Sequence, residues 1–352
     1  MVTIIIPTYN RKSYLEDAID SVLGQNFTHF GIIVVDDGSD DGTADLVRGL
    51  GDPKKLEYMR FSHSGVPGKV RNAGARMAKG NYLAFLDSDD QWEPEKLEIQ
   101  LAVMQQGDPI RWCITNLKII DLDASTSRHL QGFEALFPLF KEISISAKVF
   151  FSKSLKEVSV EVGGKAILIF SGDMFEPLFH GNFCSPVSLL IHRELWDIFG
   201  GFDESFQVAE DTEFFHRLAS KAPGAIVMTP LIRVRRGHVS LISPINTIQL
   251  IQNTLISIDR AVSSRQTLTT SEQFAYVEGK QRLLSRLAWA HLTNFDGGKA
   301  RKIISTLTPP WRRSIRIMTI YTASFLPAPI LRYLHKLKQF LRKVVHVIRL
   351  VI

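Results

Sequence analysis

The sequence is poor in cysteine and has no recognisable leader. Only Cys113 and Cys184 occur among its 352 residues, and both lie in apolar runs. A disulfide framework is therefore not expected, and a reducing compartment is favoured. The first ten residues, MVTIIIPTYN, contain neither a basic region nor a cleavage site, so we expect no signal peptide. Together these absences predict a cytoplasmic protein.

Acidic residues are missing from the last part of the chain. Twelve Lys and Arg residues follow Asp296, but no Asp or Glu follows it. The formal net charge of +6 is therefore carried by this last part, and the remainder of the chain is net acidic. With 45% hydrophobic residues the chain has enough apolar material for a core, which excludes an intrinsically disordered protein.

Short β-rich runs alternate with helical patterns in the first part of the chain. The runs VTIIIP, GIIVVDD, KLEYMRF and NYLAFLD read as buried strands, and amphipathic segments separate them. This order predicts an α/β fold with a mostly parallel sheet flanked by helices. Ligands of such sheets bind beyond the carboxyl ends of the strands. Because PTYN, DDGSDDGT and DSDD follow three of the strands, we expect one binding site at that edge.

The pattern divides the chain into two predicted parts. Residues 1–240 carry the α/β pattern and form the first domain, which is interrupted at about 123–173 by a Phe-rich and Ser/Lys-rich stretch. We interpret this stretch as an insertion that adds short strands or loops. Residues 241–352 read as a helical C-terminal extension that ends in a basic amphipathic tail.

Three carboxylates at the end of the strand NYLAFLD suit a metal ion. Asp87, Asp89 and Asp90 lie within four residues, where their charges repel one another unless a cation joins them. Oxygen ligands of this kind favour Mn²⁺ or Mg²⁺, whereas Zn²⁺ prefers imidazole or thiolate. The alternative is a solvated acidic turn that caps the helix beginning at Pro94.

Two other acidic motifs have both a functional and a purely structural interpretation. In VVDDGSDDGT, Asp37 can accept hydrogen bonds from a base or ribose, although Asp-Gly turns are common without any function. In GGFDESFQVAEDTEFFHRL, Glu210 and Asp211 begin a helix, where the helix dipole alone favours a carboxylate. If Asp211 instead points toward the metal-binding edge, it can accept a proton from an attacking hydroxyl.

Basic residues near these motifs could bind a diphosphate through charge-assisted hydrogen bonds. They occur in RVRRGHVS and GVPGKVRNAG and are Arg233, Arg235, Arg236, His238, Lys69 and Arg71. His238 could serve as an additional metal ligand. The alternative for each of these residues is a side chain that faces solvent.

Five segments, taken in order, resemble the family 2 glycosyltransferases, whose catalytic domain has the GT-A fold. The segments are VTIIIPTYNR, IIVVDDGSDDGT, RNAGARMAKGNYLAFLDSDDQWEPEKL, GGFDESF and EDTEFFHRL. The resemblance covers about residues 1–240 and lies in the ordered set rather than in any one motif. It implies an inverting hexosyltransferase that uses a nucleotide sugar, most often a UDP-sugar, with Mn²⁺ or Mg²⁺ as cofactor.

The resemblance also implies roles for individual residues. The residues that would contact the nucleotide sugar are Pro7, Thr8, Tyr9, Asn10, Asp37, Lys69, Arg71, Asp87, Ser88, Asp89 and Arg236. Within this set Asp37 would read the base, and the Asp-any-Asp motif of the family corresponds to Asp87, Ser88 and Asp89. The metal ligands would be Asp89 and Asp87, with Asp90 and His238 as further candidates. Asp211 matches the general base of inverting members.

The segment NFCSPVSLLIHRELW stands where such enzymes shape the acceptor side. We expect Asn182, Ser185 and Glu210 to contact the acceptor, which would be a saccharide or a lipid-linked molecule in cell-surface polysaccharide or glycolipid synthesis. Trp196 is a further candidate for sugar contact, although core packing is favoured for it.

Two other functions share parts of this pattern. A sugar-phosphate nucleotidyltransferase also uses a parallel sheet and acidic metal ligands, but it usually opens with a glycine-rich phosphate loop, which IIIPTYNRKSYL lacks. A non-catalytic sugar-binding relative would keep the fold and lose the base or the metal carboxylates, and both are present. These two functions remain the alternatives to sugar transfer.

The basic tail predicts binding to an anionic membrane, which places the protein on the inner face of the cell membrane. Its Lys and Arg residues are interleaved with Leu, Ile, Val and Phe, as in helices that lie in a membrane surface. The apolar run Ile317–Leu331 is too short to span a bilayer, and Pro327 and Pro329 break it. Nucleic-acid binding is not expected without a nucleic-acid module. A helix packed on the catalytic domain is the structural alternative.

Overall fold

The computed structural model describes residues 1–50, 55–106, 110–121, 130–133, 146–236, 246–312 and 314–333. The chain divides into two units. The first comprises Met1–Leu241 and Ser257–Ala275, and the second comprises Ile242–Ile256 and Tyr276–Ile352. The metal-ligand candidate His238 and residues 334–352 of the predicted tail lie outside the described residues.

The strands of the first unit form one 11-stranded sheet within the described residues. They are β1 (Val2–Thr8), β2 (Phe30–Asp36), β3 (Leu56–Arg60), β4 (Tyr82–Phe85), β5 (Gln91–Trp92), β6 (Trp112–Asp121), β7 (Leu130–Gln131), β8 (Lys156–Val162), β9 (Lys165–Gly172), β10 (Leu190–His192) and β11 (Gly224–Arg236). Their spatial order is β3-β2-β1-β4-β10-β6-β11-β9-β8, with β5 beside β11 and β7 beside β6.

The sheet is parallel at its N-terminal end and mixed beyond it. β1 pairs in parallel with β2 and β4, and β2 pairs in parallel with β3, as the alternating pattern predicts. The short strand β10 then runs antiparallel to both β4 and β6, while β11 is parallel to β6. The strands β8 and β9 of the predicted insertion form a hairpin that joins the sheet through β9 and β11.

Helices connect the strands and make up the second unit. Those before residue 220 are α1 (Lys12–Leu23), α2 (Thr43–Gly49), α3 (Pro67–Met77), α4 (Lys96–Met104), α5 (Ala147–Phe151), α6 (Phe175–His180), α7 (Arg193–Phe199) and α8 (Glu210–Ala219). They are followed by α9 (Thr247–Ser264), α10 (Thr270–Thr293), α11 (Gly297–Thr306), α12 (Pro309–Arg312) and α13 (Ile315–Ala323). The 3₁₀ turn Pro186–Ser188 precedes β10.

Helices cover both faces of the sheet because successive side chains of a strand point in opposite directions. On β1, Ile4 belongs to a core cluster with Leu15 of α1, whereas Ile5 belongs to the opposite cluster with Val70 of α3. Helix α3 lies very close to β1, since a Cβ added at Gly74 would stand 2.6 Å from Ile5 Cγ2. This close approach holds the first turns of α3 at the carboxyl edge of the parallel strands.

The second unit is helical in its described residues, in line with the predicted C-terminal extension. Its core joins Ala288 of α10, Ile304 of α11 and Ile320 of α13. Helix α11 begins at a cap in which the Asp296 carboxylate accepts the Lys299 N–H (2.9 Å). In the described part of the chain, no helix has both the length and the apolar character that crossing a bilayer requires.

Candidate active site

The acid-rich turn Asp87–Asp90 follows β4 directly and lies at the carboxyl edge of the parallel strands. The Leu86 N–H donates to the Ile5 carbonyl (3.0 Å), which extends the pairing of β1 and β4 to the start of the turn. The Asp90 N–H donates to the Asp87 carbonyl (3.0 Å) and closes the turn. The carboxylates therefore stand just beyond the strand, where ligands of such sheets bind.

Arg71 on α3 joins two acidic segments that are far apart in the sequence. Its Nη2 donates to Asp87 Oδ1 (2.7 Å), and its Nη1 donates to Glu210 Oε1 (2.9 Å). Burial alone would lower the pKa of this guanidinium, but the charges of Asp87 and Glu210 outweigh burial and raise it. Arg71 therefore links the Asp87–Asp90 turn to Glu210 at the start of α8.

Asp211 lies beside this ion-pair network in the first turn of α8. Its Oδ1 accepts the main-chain N–H of Thr212 (2.6 Å). Burial raises the pKa of the Asp211 carboxyl, and the Thr212 N–H and the Arg71 charge oppose part of that rise. Burial and the charge of Asp211 in turn raise the pKa of Glu210 to about 7. Raised carboxyl pKa values next to a cationic partner are typical of acid–base sites.

The three acids of the turn differ in their surroundings. Asp87 and Asp89 are partly exposed, and Asp89 Oδ2 lies 3.8 Å from Arg11 Nε. Asp90 is buried, and its Oδ1 accepts the main-chain N–H of Arg235 (3.1 Å). Burial, followed by the charges of Asp87 and Asp89, raises the pKa of Asp90 well above its usual range. Asp90 is therefore the least accessible of the three to a bound cation.

The carboxylates of this turn fit a divalent cation that takes most of its ligands from a bound substrate. Among the described residues, no three His, Cys, Asp or Glu side chains are grouped as a complete metal site. Asp87 and Asp89 nevertheless supply two partly exposed carboxylates, and Mg²⁺ is commonly held by one or two carboxylates together with substrate phosphates. The side chain of His238 cannot be placed, because it lies outside the described residues.

The residues after β1 also lie at the carboxyl edge of the parallel strands. The Tyr9 ring is exposed and stacks on the His63 ring, with 3.9 Å between centroids and 18° between planes. Asn10 has a positive φ of 50°, and its N–H donates to Ser39 Oγ (2.9 Å). The stack leaves an aromatic face beside the predicted nucleotide pocket. Nothing in the sequence around His63 indicates this contact.

The Asp37 carboxylate anchors the segment that follows β3. Its Oδ1 accepts the Ser64 N–H (2.8 Å), its Oδ2 accepts the Gly65 N–H (2.9 Å), and His63 Nδ1 lies 2.9 Å from Oδ2. An ionised carboxylate has about four acceptor positions, so these bonds leave it capacity for one more donor. Reading of a base by Asp37 is compatible with this geometry and stays a prediction.

The predicted basic residues have different surroundings. Lys69 is exposed in the first turn of α3. Arg233 is bound to the Glu93 carboxylate through two hydrogen bonds of 2.7 and 2.8 Å, which accounts for its presence without a ligand. Arg235 is bound to Asp17 (2.8 Å). Arg236 ends β11, and its side chain is not among those described.

Of the residues predicted for the acceptor side, Asn182 and Trp196 contact the helix that carries Asp211. Asn182 Nδ2 donates to Thr212 Oγ1 (2.8 Å). Ser185 precedes the 3₁₀ turn, and its carbonyl accepts the Ser188 hydroxyl (2.6 Å). Trp196 is buried among aromatic rings, with centroids 5.0 Å from Phe85 and 5.0 Å from Phe214. Core packing therefore explains Trp196.

Several buried polar atoms at this edge have no hydrogen-bond partner within the described residues. They are Thr8 Oγ1 at the end of β1, Arg71 Nε, and both Nε and Nη2 of Arg235, whose main chain binds Asp90. Buried polar groups are nearly always paired in folded proteins, so unpaired ones need an explanation. Both guanidinium groups face aromatic rings, with Arg235 Cζ 5.4 Å from the Tyr14 ring centroid and Arg71 Cζ 5.7 Å from the Phe202 ring centroid, which compensates part of the cost of the unpaired N–H groups.

Comparison with known sequences finds similarity in the N-terminal part. Residues 3–173 match the model of glycosyl transferase family 2. A relative from Bacillus subtilis (strain 168), TuaG, is described as a teichuronic acid biosynthesis glycosyltransferase and is 38% identical over 107 residues, which are 30% of this chain and 42% of TuaG. The matched segment spans from 15% to 43% of the length of the curated relatives.

Solved structures share the fold. Residues 1–349 of TarS from S. aureus, in complex with UDP, give a TM-score of 0.59 at 17% identity, covering 92% of this chain and 90% of that chain. The mannosyltransferase PcManGT from Pyrobaculum calidifontis, in complex with GDP-Man and Mn²⁺, gives 0.54 at 17% identity, covering 92% and 85%. The predicted GT-A-like architecture is therefore confirmed.

Proposed function

We propose, because the N-terminal part of this chain belongs to glycosyl transferase family 2, that the protein is an inverting glycosyltransferase. It moves a sugar from a nucleoside diphosphate sugar to a hydroxyl of a saccharide or a lipid-linked acceptor. One observation carries the proposal: Arg71 binds Asp87 and Glu210 at the same time. This contact supports the proposal because it links the turn of the predicted metal carboxylates to Glu210, the residue next to the predicted base, and sugar transfer needs such a link whereas a capping turn does not.

The donor is held between the turn after β4 and the ends of β1 and β2. Asp87 and Asp89 would hold Mn²⁺ or Mg²⁺ together with the donor diphosphate, and the cation would offset the charge that develops on the leaving nucleoside diphosphate. Asp37 and the exposed Tyr9 ring contact the nucleotide. The complexes of TarS with UDP and with UDP-GlcNAc, and of PcManGT with GDP-Man and Mn²⁺, support a nucleotide-sugar donor and favour UDP.

Asp211 removes the proton from the acceptor. The acceptor hydroxyl attacks the anomeric carbon from the side opposite the diphosphate, and the bond from that carbon to the diphosphate oxygen breaks as the new glycosidic bond forms. The hydroxyl proton passes to the Asp211 carboxylate. A single displacement of this kind inverts the anomeric configuration and needs no covalent intermediate between sugar and enzyme.

The acceptor belongs to cell-surface polysaccharide or glycolipid synthesis. The likeness to TuaG, described for teichuronic acid biosynthesis, supports this class. Glu210, which immediately precedes the predicted base, and Ser185 are the residues that we expect to contact the acceptor.

The first experiment is a donor screen with the purified protein, Mn²⁺ and a panel of nucleotide sugars. We expect transfer or slow hydrolysis of one donor, which NDP release reports. The variant Asp211→Asn keeps the size of the side chain but cannot take a proton. Its kcat should fall by about 10²- to 10⁴-fold, while its donor affinity stays close to that of the wild type.

Matched controls separate the alternatives. Asp197→Asn makes the same chemical change at an exposed acid of α7 that is ion-paired with Arg193, and it should leave kcat unchanged. Exchange of nucleotide with pyrophosphate would support the nucleotidyltransferase alternative. Donor binding without turnover by the wild type would support a non-catalytic sugar-binding protein. Equal turnover by Asp211→Asn and wild type would refute the assignment of the base.

A membrane surface is the partner that we propose for the C-terminal extension. Large exposed apolar side chains are concentrated between residues 315 and 333, and they are Ile315, Met318, Tyr321, Phe325, Leu326, Ile330 and Tyr333. No acid follows Asp296, so the basic residues Arg312, Arg316 and Arg332 stand beside these side chains without sequence neighbours of opposite charge. Apolar residues together with arginines suit an anionic lipid surface, which gives about 1 kcal/mol per basic residue.

Flotation with liposomes tests this surface. The variant Met318→Ser/Phe325→Ser/Tyr333→Ser removes three exposed apolar side chains, and we expect its bound fraction on anionic liposomes to fall at least about tenfold. Phe274→Ser is the matched control, because Phe274 is 67% exposed and Phe325 is 60% exposed. Equal flotation of the triple variant and the wild type would disprove the proposal, and equal flotation on neutral liposomes would disprove the electrostatic part of it.

A further inference from the structure

Thr212, which immediately follows the proposed base, makes two hydrogen bonds to it. The Thr212 N–H donates to Asp211 Oδ1 (2.6 Å), and Thr212 Oγ1 lies 3.3 Å from the same oxygen. No hydrogen bond to Asp211 Oδ2 occurs within the described residues. One oxygen of the carboxylate is therefore fixed, and the other is left for a substrate.

The direction of the Thr212 hydroxyl follows from Asn182. The main-chain N–H of Cys184 donates to Asn182 Oδ1 (3.0 Å), which fixes the orientation of the amide. Its Nδ2 must then face Thr212 Oγ1 and donate to it (2.8 Å). Because this hydroxyl oxygen already accepts a hydrogen bond, its own proton points to its remaining partner, which is Asp211 Oδ1.

We infer that Thr212 and Asn182 are positioning residues that fix Asp211 Oδ1 and present Asp211 Oδ2 to the acceptor hydroxyl. The inference rests on the proposed function and goes beyond it, since it assigns how the base is oriented. It also gives Asn182 a role other than direct contact with the acceptor. A further contact holds the helix in place, because Ser257 Oγ donates to the Thr212 carbonyl (3.4 Å) and lies 2.8 Å from His216 Nδ1.

Other titratable groups interact with Asp211 and do not change in the variants proposed below. They are Arg71 on α3, Asp87 after β4, Glu210 on α8 and Cys184 before the 3₁₀ turn. Hydrogen bonds to a carboxylate stabilise its charged form and lower its pKa, so their loss raises it. The role of the Thr212 hydroxyl can therefore be tested by measuring the pKa of Asp211 as well as kcat.

The test compares Thr212→Val, which has nearly the same shape but no hydroxyl, with Thr212→Ser, which keeps the hydroxyl. In Thr212→Val we expect the pKa of Asp211 to rise by about one pH unit. Because the base works when deprotonated, the acidic limb of the kcat profile should move up by the same amount. At pH values below that limb, kcat should fall about tenfold while the donor KM stays unchanged. Asn182→Ala should move the limb in the same direction by less.

Two readouts keep failure of this inference separate from failure of the proposed function. Carboxyl ¹³C titration of the Asp-labelled protein, assigned with Asp211→Asn, measures the pKa of Asp211 without any turnover. Thr293→Val is the matched control, since in the described part of the chain its hydroxyl bonds to the Trp289 and Ala290 carbonyls of its own helix. An unchanged Asp211 pKa and an unchanged acidic limb in Thr212→Val would overturn the inference, and so would equal impairment of Thr212→Ser. Absence of turnover in the wild type would count against the proposed function alone.

Discussion

Two acid-rich turns lie at the same edge of the sheet and use their carboxylates in different ways. In the turn Asp36–Asp41 after β2, the Asp36 carboxylate accepts both the N–H and the hydroxyl of Ser39 (2.8 and 2.6 Å). Asp41 accepts the N–H groups of Lys12 and Thr43 (2.9 and 3.1 Å). These acids hold neighbouring main-chain segments together, so most of their acceptor capacity is taken up by the fold.

The turn Asp87–Asp90 after β4 has carboxylates that face cationic side chains. Asp87 is bound to Arg71, and Asp89 lies near Arg11. Both keep part of their surface exposed, whereas the Asp36 side chain is fully buried. A partly exposed carboxylate that is paired with an arginine can exchange this partner for a metal ion when a phosphate binds the arginine. A carboxylate that is bound to main-chain N–H groups cannot leave them without disrupting the fold.

These two turns show that amino-acid composition does not distinguish a structural acidic turn from a functional one. DDGSDD and DSDD both follow a buried strand, and both were open to a structural and a functional interpretation. The distinguishing feature is the partner of each carboxylate. Asp37 lies between the two cases, since it anchors Ser64 and Gly65 and still has capacity for a base.

The largest effect should come from the second turn. In Asp89→Asn the side chain keeps its size but loses the charge that would hold a divalent cation and the donor diphosphate. We expect kcat/KM to fall by about 10²- to 10³-fold and the Mn²⁺ titration of donor binding to weaken. Thermal unfolding should change little, because the Asp89 side chain is partly exposed.

Asp41→Asn is the matched control in the first turn. It makes the same chemical change in an exposed acid whose partners are main-chain N–H groups and the Thr43 hydroxyl, so kcat/KM should stay within about twofold of the wild type. The contrast between the turns would be wrong if Asp89→Asn gave the wild-type Mn²⁺ titration. It would also be wrong if Asp41→Asn lost as much activity as Asp89→Asn.

The sequence predicts the parallel strands and the acids at their ends because both depend on local pattern. Buried runs such as VTIIIP and the polar residues after them can be read within a few positions of one another. The sequence does not predict that Arg71 binds Asp87 and Glu210 together, because Arg71 and Glu210 are 139 residues apart. Pairing over such a distance depends on the packing of α3 and α8 and not on any nearby motif.

The β8–β9 hairpin, which was not predicted, does have a recognisable turn motif in the sequence. Gly163 and Gly164 both have positive φ (57° and 74°) and form the two-residue turn of the β8–β9 hairpin, a turn that Gly-Gly favours. The stretch 123–173 could therefore have been assigned a hairpin and not only short strands or loops. The antiparallel strand β10 has three residues, which is too short for any periodic pattern.

At Lys96 the general rule that lysine side chains are exposed gives the wrong prediction. Lysine is almost never fully buried, yet Lys96 has no exposed surface, and its Nζ lies 3.8 Å from the Trp92 ring centroid and 2.7 Å from Gln100 Oε1. Burial lowers the pKa of Lys96 to about 7. A helical pattern cannot show that this ammonium lies under an aromatic ring, because Trp92 and Lys96 are placed together by a turn and not by one helix face.

The smaller effect should come from the first turn and should concern stability. Asp36→Asn replaces the charged acceptor of Ser39 and of the Tyr58 hydroxyl, which donates to Asp36 Oδ2 (2.5 Å). Burial and this hydrogen bond raise the pKa of Tyr58, so its hydroxyl stays protonated and needs an acceptor. We expect the free energy of unfolding, measured with urea, to fall by about 2–3 kcal/mol, with kcat of the folded protein nearly unchanged.

Tyr58→Phe refines this prediction, because it removes one of the Asp36 contacts and leaves the carboxylate and Ser39 in place. Its loss should be smaller, about 1.5 kcal/mol, since Arg60 Nε still lies 3.9 Å from Asp36 Oδ2. The two losses should not add in the double variant, because both changes break the same hydrogen bond. If instead Asp36→Asn kept its stability and lost transfer, the carboxylates of the first turn would belong to the catalytic machinery, and the contrast between the two turns would disappear.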